Sequence, residues 1–200
     1  MSELTALAQQ LALTPWVLVL VFLLCTIDGF FPPIPSESVV IAAAAVIVTV
    51  QPSRLFLLCA VSAVGAFLGD NISYLIGRKM QGLRKSRWTK IVSGIDKAEE
   101  ILARRGAGIL MGARFIPVVR VAVNMAAGLT NFPRGRFIGI MAFIDCVWAI
   151  QATIIGTAAG AWFRENPLLG AAVGVGIGLL VGYVVDRIFA LRNRQVLQKA

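Results

Sequence analysis

Long apolar runs leave this chain few folds to choose from. They lie at residues 15–28, 38–50, 53–77, 106–131, 137–163 and 168–190, and take up most of its 200 residues. Hydrophobic side chains make up 58% of the sequence and charged ones 14%, against about 45–50% and about 25% in an ordinary soluble domain. That leaves too little polar surface to wrap a water-soluble core of this size. Residues 1–200 therefore read as a single all-α integral membrane domain. No basic stretch followed by a small-residue cleavage motif is seen, so no removable signal peptide is expected.

The runs are not all long enough to cross. A spanning helix needs about 20 apolar residues, which residues 53–77, 137–163 and 168–190 supply. Residues 15–28 and 38–50 fall short, and the polar, proline-rich stretch FFPPIPSE (30–37) separates them. Pro32, Pro33 and Pro35 cannot share one helix interior, because each lacks a backbone donor and crowds the preceding turn. Residues 106–131 are broken in the same way at Pro117. Residues 4–13 read as a short amphipathic lead-in.

Charge sets the topology. Lysines and arginines crowd residues 78–105, and Arg192, Arg194 and Lys199 lie in the C-terminal tail. The positive-inside rule places both in the cytoplasm, as in a multi-pass protein of the cytoplasmic membrane with a cytoplasmic C-terminus. Within the basic loop 79–105, IDKAEEILARR predicts an amphipathic helix, with acids early and arginines late as its dipole prefers. An even number of crossings must separate loop and tail, and 137–163 and 168–190 supply two. Residues 106–131 should then enter from the cytoplasm and return as a re-entrant hairpin. The net charge of +9 reads as this topology, not as nucleic-acid binding.

A weak internal repeat points the same way. PSRLF (52–56) resembles PRGRF (133–137). Each follows a proline-broken segment and precedes a long span with an aspartate, Asp70 or Asp145. The expected architecture is two inverted repeats plus a C-terminal transmembrane helix at 168–190. The first repeat, 15–78, holds a hairpin at 15–50 and a span at 53–77. The second, 106–163, holds a hairpin at 106–131 and a span at 137–163. Broken helices that meet at the midplane are a transporter architecture.

The charges near the breaks carry the chemistry. Asp28 and Glu37 flank the first break, and Arg114 and Arg120 flank Pro117. A charge in the bilayer is costly unless it is paired or wet, so the two hairpin tips are expected to meet. Arginine suits phosphate because its planar fork donates two parallel hydrogen bonds. A carboxylate in a semi-dry pocket can carry a proton. The parts make an anion-binding site with a proton handle, or else a structural ion-pair cluster. Ser36 and Ser38 are expected to cap the returning helix. Asp70, two turns before Arg78, is expected at the interface or beside the arginines. Asp145 should face the interior, and Asn124 is a further candidate neighbour. Trp16, Trp88 and Trp162 are read as interface markers. The glycines of GAAVGVGIGLLVG allow close helix packing, within the chain or in a homodimer.

The chain has no histidine, which removes histidine nucleophiles, bases and metal ligands. Cys25, Cys59 and Cys146 lie in apolar runs without metal-type spacing and read as small apolar fillers. No metal, no cofactor and no enzymatic activity are expected.

DGFFPPIPSE (28–37), GDNISYLIGR (69–78), GARFIPVVRVAVNMAAG (112–128) and FPRGRF (132–137) together resemble the DedA family of bacterial membrane proteins, whose core is the SNARE-associated or VTT domain. The resemblance runs from about residue 15 to 165. It implies two inverted re-entrant hairpins and a proton-coupled role in moving lipids, notably lipid-linked phosphates such as undecaprenyl phosphate. It also implies that Asp28 and Glu37 couple protons and that Arg114 and Arg120 bind the phosphate. The chain departs from the family in the run VAVNMAAG after Arg120, where an aromatic residue and a further proline are common, and in the shorter Asp28. The alternatives are a proton- or cation-coupled transporter of a small solute and a non-transporting protein of envelope maintenance. On the leading reading the partners are protons, the lipid-phosphate substrate and the anionic inner leaflet.

Overall fold

The computed structural model describes residues 14–31, 34–81, 106–114, 117–163 and 169–180, with Gln10 and Leu102. Every regular element among them is a helix. In chain order these are α1 (Pro15–Asp28), α2 (Ser36–Val50), α3 (Arg54–Lys79), α4 (106–113), α5 (Pro117–Leu129), α6 (Arg134–Trp162) and α7 (Leu169–Leu180). The lead-in, Pro32, Pro33, Trp88, the amphipathic stretch of the basic loop apart from Leu102, and residues 181–190 lie outside the described residues.

Two helices can cross a bilayer unaided. α3 has 26 residues and α6 has 29. At 1.5 Å per residue they reach about 39 and about 44 Å, beyond the hydrocarbon thickness of about 30 Å. α1, α2 and α5 have 14, 15 and 13 residues and stop short of it. Among the described residues two helices are long and apolar enough to span a membrane, beside several shorter apolar ones.

The prolines fall at helix starts. Pro15 and Pro117 are the first residues of α1 and α5, where the missing N–H would have no partner anyway. Pro35 immediately precedes α2 and takes its N-cap position. This overturns one expectation: no side chain caps α2, and the Ser36 hydroxyl donates instead to Asp28 Oδ2 at 2.6 Å. The segment 106–131 is two helices, since α4 ends at 113 and α5 begins at Pro117, with Arg114 on the turn after α4.

α1, α5 and α6 all lie against α3, and α2 lies along α6. Small residues allow these approaches. A Cβ on Gly77 of α3 would stand 1.9 Å from the Met125 carbonyl oxygen of α5, and one on Gly128 would stand 1.9 Å from the Tyr74 oxygen. Gly156 and Gly160 of α6 press in the same way on the backbone of α2 at Ile41 and Ala45. Three glycines of α7 pack internally, Gly170 and Gly174 close to Ala159, and Gly174 and Gly178 against Ile41, while Gly176 meets nothing within 4 Å.

The turn from α5 to α6 has its own lock. Asn131 adopts φ 58°, while Phe132 N–H donates to Ala127 O and Asn131 N–H to Gly128 O. This is the paired C-terminal bond pattern that ends many helices. Gln81 at the end of α3 donates to Gly128 O and to Asn131 Oδ1. Tyr74 donates to Phe132 O at 2.6 Å, and its ring lies 4.6 Å from that of Phe137. Together these tie α3 to the α5–α6 turn. Phe143, Val147, Ile150 and Ile154 form an exposed apolar stripe along α6, the face such a helix offers to lipid.

Candidate functional site: a buried ion cluster at the helix breaks

Five charged side chains from five helices or their ends meet inside the bundle. Asp28 is the last residue of α1, Asp70 lies on α3, Arg114 follows α4, Arg120 lies on α5 and Asp145 on α6. All five are buried, Asp70 completely. Arg114 Nη1 donates to Asp70 Oδ2 at 2.7 Å and also to Asp145 Oδ1. Arg120 Nη2 donates to the Asp28 carbonyl at 2.7 Å and to Asp28 Oδ2 at 3.1 Å. Arg120 Nε lies 3.4 Å from Asp70 Oδ1. The breaks explain this convergence. A helix that ends or starts in the apolar region has unpaired backbone groups there, and the Asp28 carbonyl at the end of α1 finds its donor in Arg120.

The two breaks meet as the residues led one to expect, through Asp28 and Arg120. Asp70 is in the centre and not at the interface, which corrects one of its two expected placements. It bridges the arginines because α3 packs on α5 and α6 at once. Glu37 stands apart. It is half-buried, and no arginine or lysine among the described residues lies within ion-pair distance of it. Its surroundings include Trp148 and Gly178. Asn124 lies one turn after Arg120 and is buried, and its Nδ2 has no hydrogen-bond partner among the described residues. Trp16 and Trp162 are exposed, as an interface role requires. The three cysteines are free thiols.

Trp148 escaped sequence reasoning. Its ring centre lies 4.5 Å from Arg114 Cζ, close enough for a cation–π contact. The available signal was its place three residues after Asp145, on the same helix face.

Not every donor of Arg114 is used. Nε and Nη2 are buried without a hydrogen-bond partner among the described residues. Those two N–H groups point the same way and form the fork that grips two oxygens of a carboxylate or phosphate. A cavity of about 150 Å³ adjoins Arg114, bordered also by Met111, Phe143, Val147, Trp148 and Gln151. Met111, Phe143 and Val147 are exposed on the outer surface. Arg114, with two donors left over, thus lines a largely apolar cavity beside the exposed apolar stripe of α6.

The VTT domain matches residues 34–158. The chain belongs to the VTT-domain family. The match includes Glu37, Asp70, Arg114, Arg120 and Asp145, and begins shortly after Asp28. Among relatives, the chain is 24% identical over 161 residues to Protein DedA of Escherichia coli, covering 77% of this chain and 72% of that protein. It is 28% identical over 105 residues to undecaprenyl phosphate transporter A of Bacillus subtilis, about half of each chain (52% and 53%). It is 29% identical over 149 residues to an alkaline phosphatase-like protein of Lactococcus lactis, 68% of each. No solved structure matches. VTT-domain proteins are transporter-like, and this chain places its charged residues inside the membrane domain as a transporter does.

Proposed function

We propose that this protein moves a lipid-linked phosphate, of the undecaprenyl phosphate or phospholipid class, across the cytoplasmic membrane with protons as the coupling ion. One observation carries the reading. Arg114, whose Nε and Nη2 have no hydrogen-bond partner among the described residues, lines a cavity whose other walls include exposed apolar residues. A small polar solute gains nothing from such walls, whereas a lipid can keep its tail among them and bring its phosphate to the fork. The name of the Bacillus subtilis relative supports the same substrate class.

Arg114 grips the head group, and Arg120 holds the first break closed through Asp28 until the phosphate competes for it. Asp28 and Glu37 are the acids that the family resemblance assigns to proton coupling. The chain is arranged as two inverted repeats, each a re-entrant hairpin followed by a span. The packing supports this, since α2 of the first half lies on α6 of the second and α5 of the second lies on α3 of the first. The C-terminus and the basic loop face the cytoplasm, where the loop rests on the anionic inner leaflet.

The test is transport in proteoliposomes carrying a fluorescent polyprenyl phosphate. Wild type should move it, faster with a pH gradient. Arg114→Lys keeps the charge but loses the fork, and should slow movement about tenfold or more. Well-folded wild type that moves no polyprenyl phosphate or phospholipid would overturn the proposal.

A further inference from the structure

The buried cluster does not balance its charge. Among the described residues two guanidiniums, Arg114 and Arg120, meet three carboxyl groups, Asp28, Asp70 and Asp145. Asp28 has its own partners, Arg120 and Ser36. Asp70 and Asp145 share a single nitrogen, Arg114 Nη1. The two oxygens on that nitrogen can be no further apart than two short hydrogen bonds, about 5 Å. Asp145 Oδ2 is buried with no donor among the described residues, and Asp70 Oδ1 makes no hydrogen bond there, with Arg120 Nε 3.4 Å away. Two carboxylates sharing a dry site cannot both ionise freely. A single proton between them removes the excess charge and supplies a missing donor.

We infer that Asp70 and Asp145 form a two-carboxyl unit that shares one proton beneath Arg114, and that this unit is where the coupled proton is held. The inference deepens the transport reading and moves the proton from the Asp28 and Glu37 pair to the centre of the bundle. The surroundings of the pair support it. α1 offers Asp28, already engaged, and the thiol of Cys25. α2 offers Glu37, which lies outside the ion pairs. α3 adds Tyr74, whose hydroxyl is committed to Phe132 O. Arg114 after α4 and Arg120 on α5 are the facing cations. Residues 169–180 of α7 contain no titratable side chain.

The arrangement fixes the sign of coupling. A phosphate reaching Arg114 brings negative charge beside the pair, so the proton stays on while the anion is bound. Once the anion has left, the proton is held less tightly and can pass to water when the site opens to it, after which the pair takes up a proton again. Anion and proton therefore travel in the same direction. One proton is taken from water on one side and one returned on the other.

Infrared spectroscopy of the purified protein tests the proton directly, without transport. Wild type at neutral pH should show the carbonyl stretch of a buried protonated carboxyl, shifted in heavy water. Asp70→Asn and Asp145→Asn should each abolish it, because the remaining acid then has Arg114 to itself. Asp145→Glu should keep a band at a changed frequency, and this covers the case in which an asparagine variant fails to fold. Glu37→Gln should leave the band in place. Absence of the band in wild type, its survival in either asparagine variant, or its loss in Glu37→Gln would overturn the inference. If the band behaves as expected but polyprenyl phosphate does not move, the substrate reading fails and the proton site stands.

Discussion

At Arg114 one guanidinium nitrogen serves two carboxylates while two other donors stay unpaired. Replacing Arg114 with alanine leaves Asp70 and Asp145 together without their cation, and removing one partner of a buried pair costs about 3–5 kcal/mol. The thermal midpoint of the detergent-solubilised protein should fall accordingly. Adding Asp145→Asn to Arg114→Ala should recover part of that loss, and purely additive losses would contradict the pairing. Trp148→Leu removes the aromatic face above Arg114 and should cost about 1–2 kcal/mol on the same assay, while Trp148→Phe costs less. Much of this site was legible in the sequence, because a charge inside an apolar run has few acceptable explanations. The pairing was not. Which acid meets which base depends on depth and rotation, and each step along a helix turns a side chain by about 100°. Ser36 therefore faces Asp28 while the next residue, Glu37, turns towards Trp148 and α7. Trp148 was hidden because tryptophan in such a chain normally marks an interface.

Among the elements, contacts between helices rest on small residues at particular places. Gly77→Ala should separate α5 from α3, because its new methyl would meet the Met125 backbone. Overpacking of this kind costs about 1–3 kcal/mol and should also weaken substrate binding, since α5 carries Arg120. Gly139→Ala on α6 meets nothing within 4 Å and should leave the thermal midpoint unchanged or slightly raised. A Gly139 variant as damaging as the Gly77 variant would mean that helix propensity, not contact, sets the response. Asn131→Val puts a branched side chain at φ 58° and should loosen the α5–α6 turn by about 1–3 kcal/mol. The prolines made the helix starts readable in advance. The role of Ser36 was not readable, because a serine at a helix start normally caps it, and here proline takes the cap position.

For the whole molecule, α3 and α6 should cross in opposite senses. In a variant lacking the native cysteines, Ser53→Cys should react with a membrane-impermeant thiol reagent added outside intact cells. Arg134→Cys should react only after permeabilisation. Reaction of both from the same side would overturn the inverted topology. The crossing count rests on charge alone, and this labelling is its test. The packing of α2 and α5 on the other half's spans could not be read, since nothing local encodes a partner so far along the chain. That cross-packing bears on how the protein is made. Asp70 precedes its partner Arg114 by 44 residues, and Asp28 precedes Arg120 by 92. At about 5–20 residues per second, a ribosome delivers both acids to the membrane seconds before either arginine exists. During that interval the nascent chain must keep them sheltered by the insertion machinery, and a first half released early has neither Arg114 nor Arg120 for them to settle on.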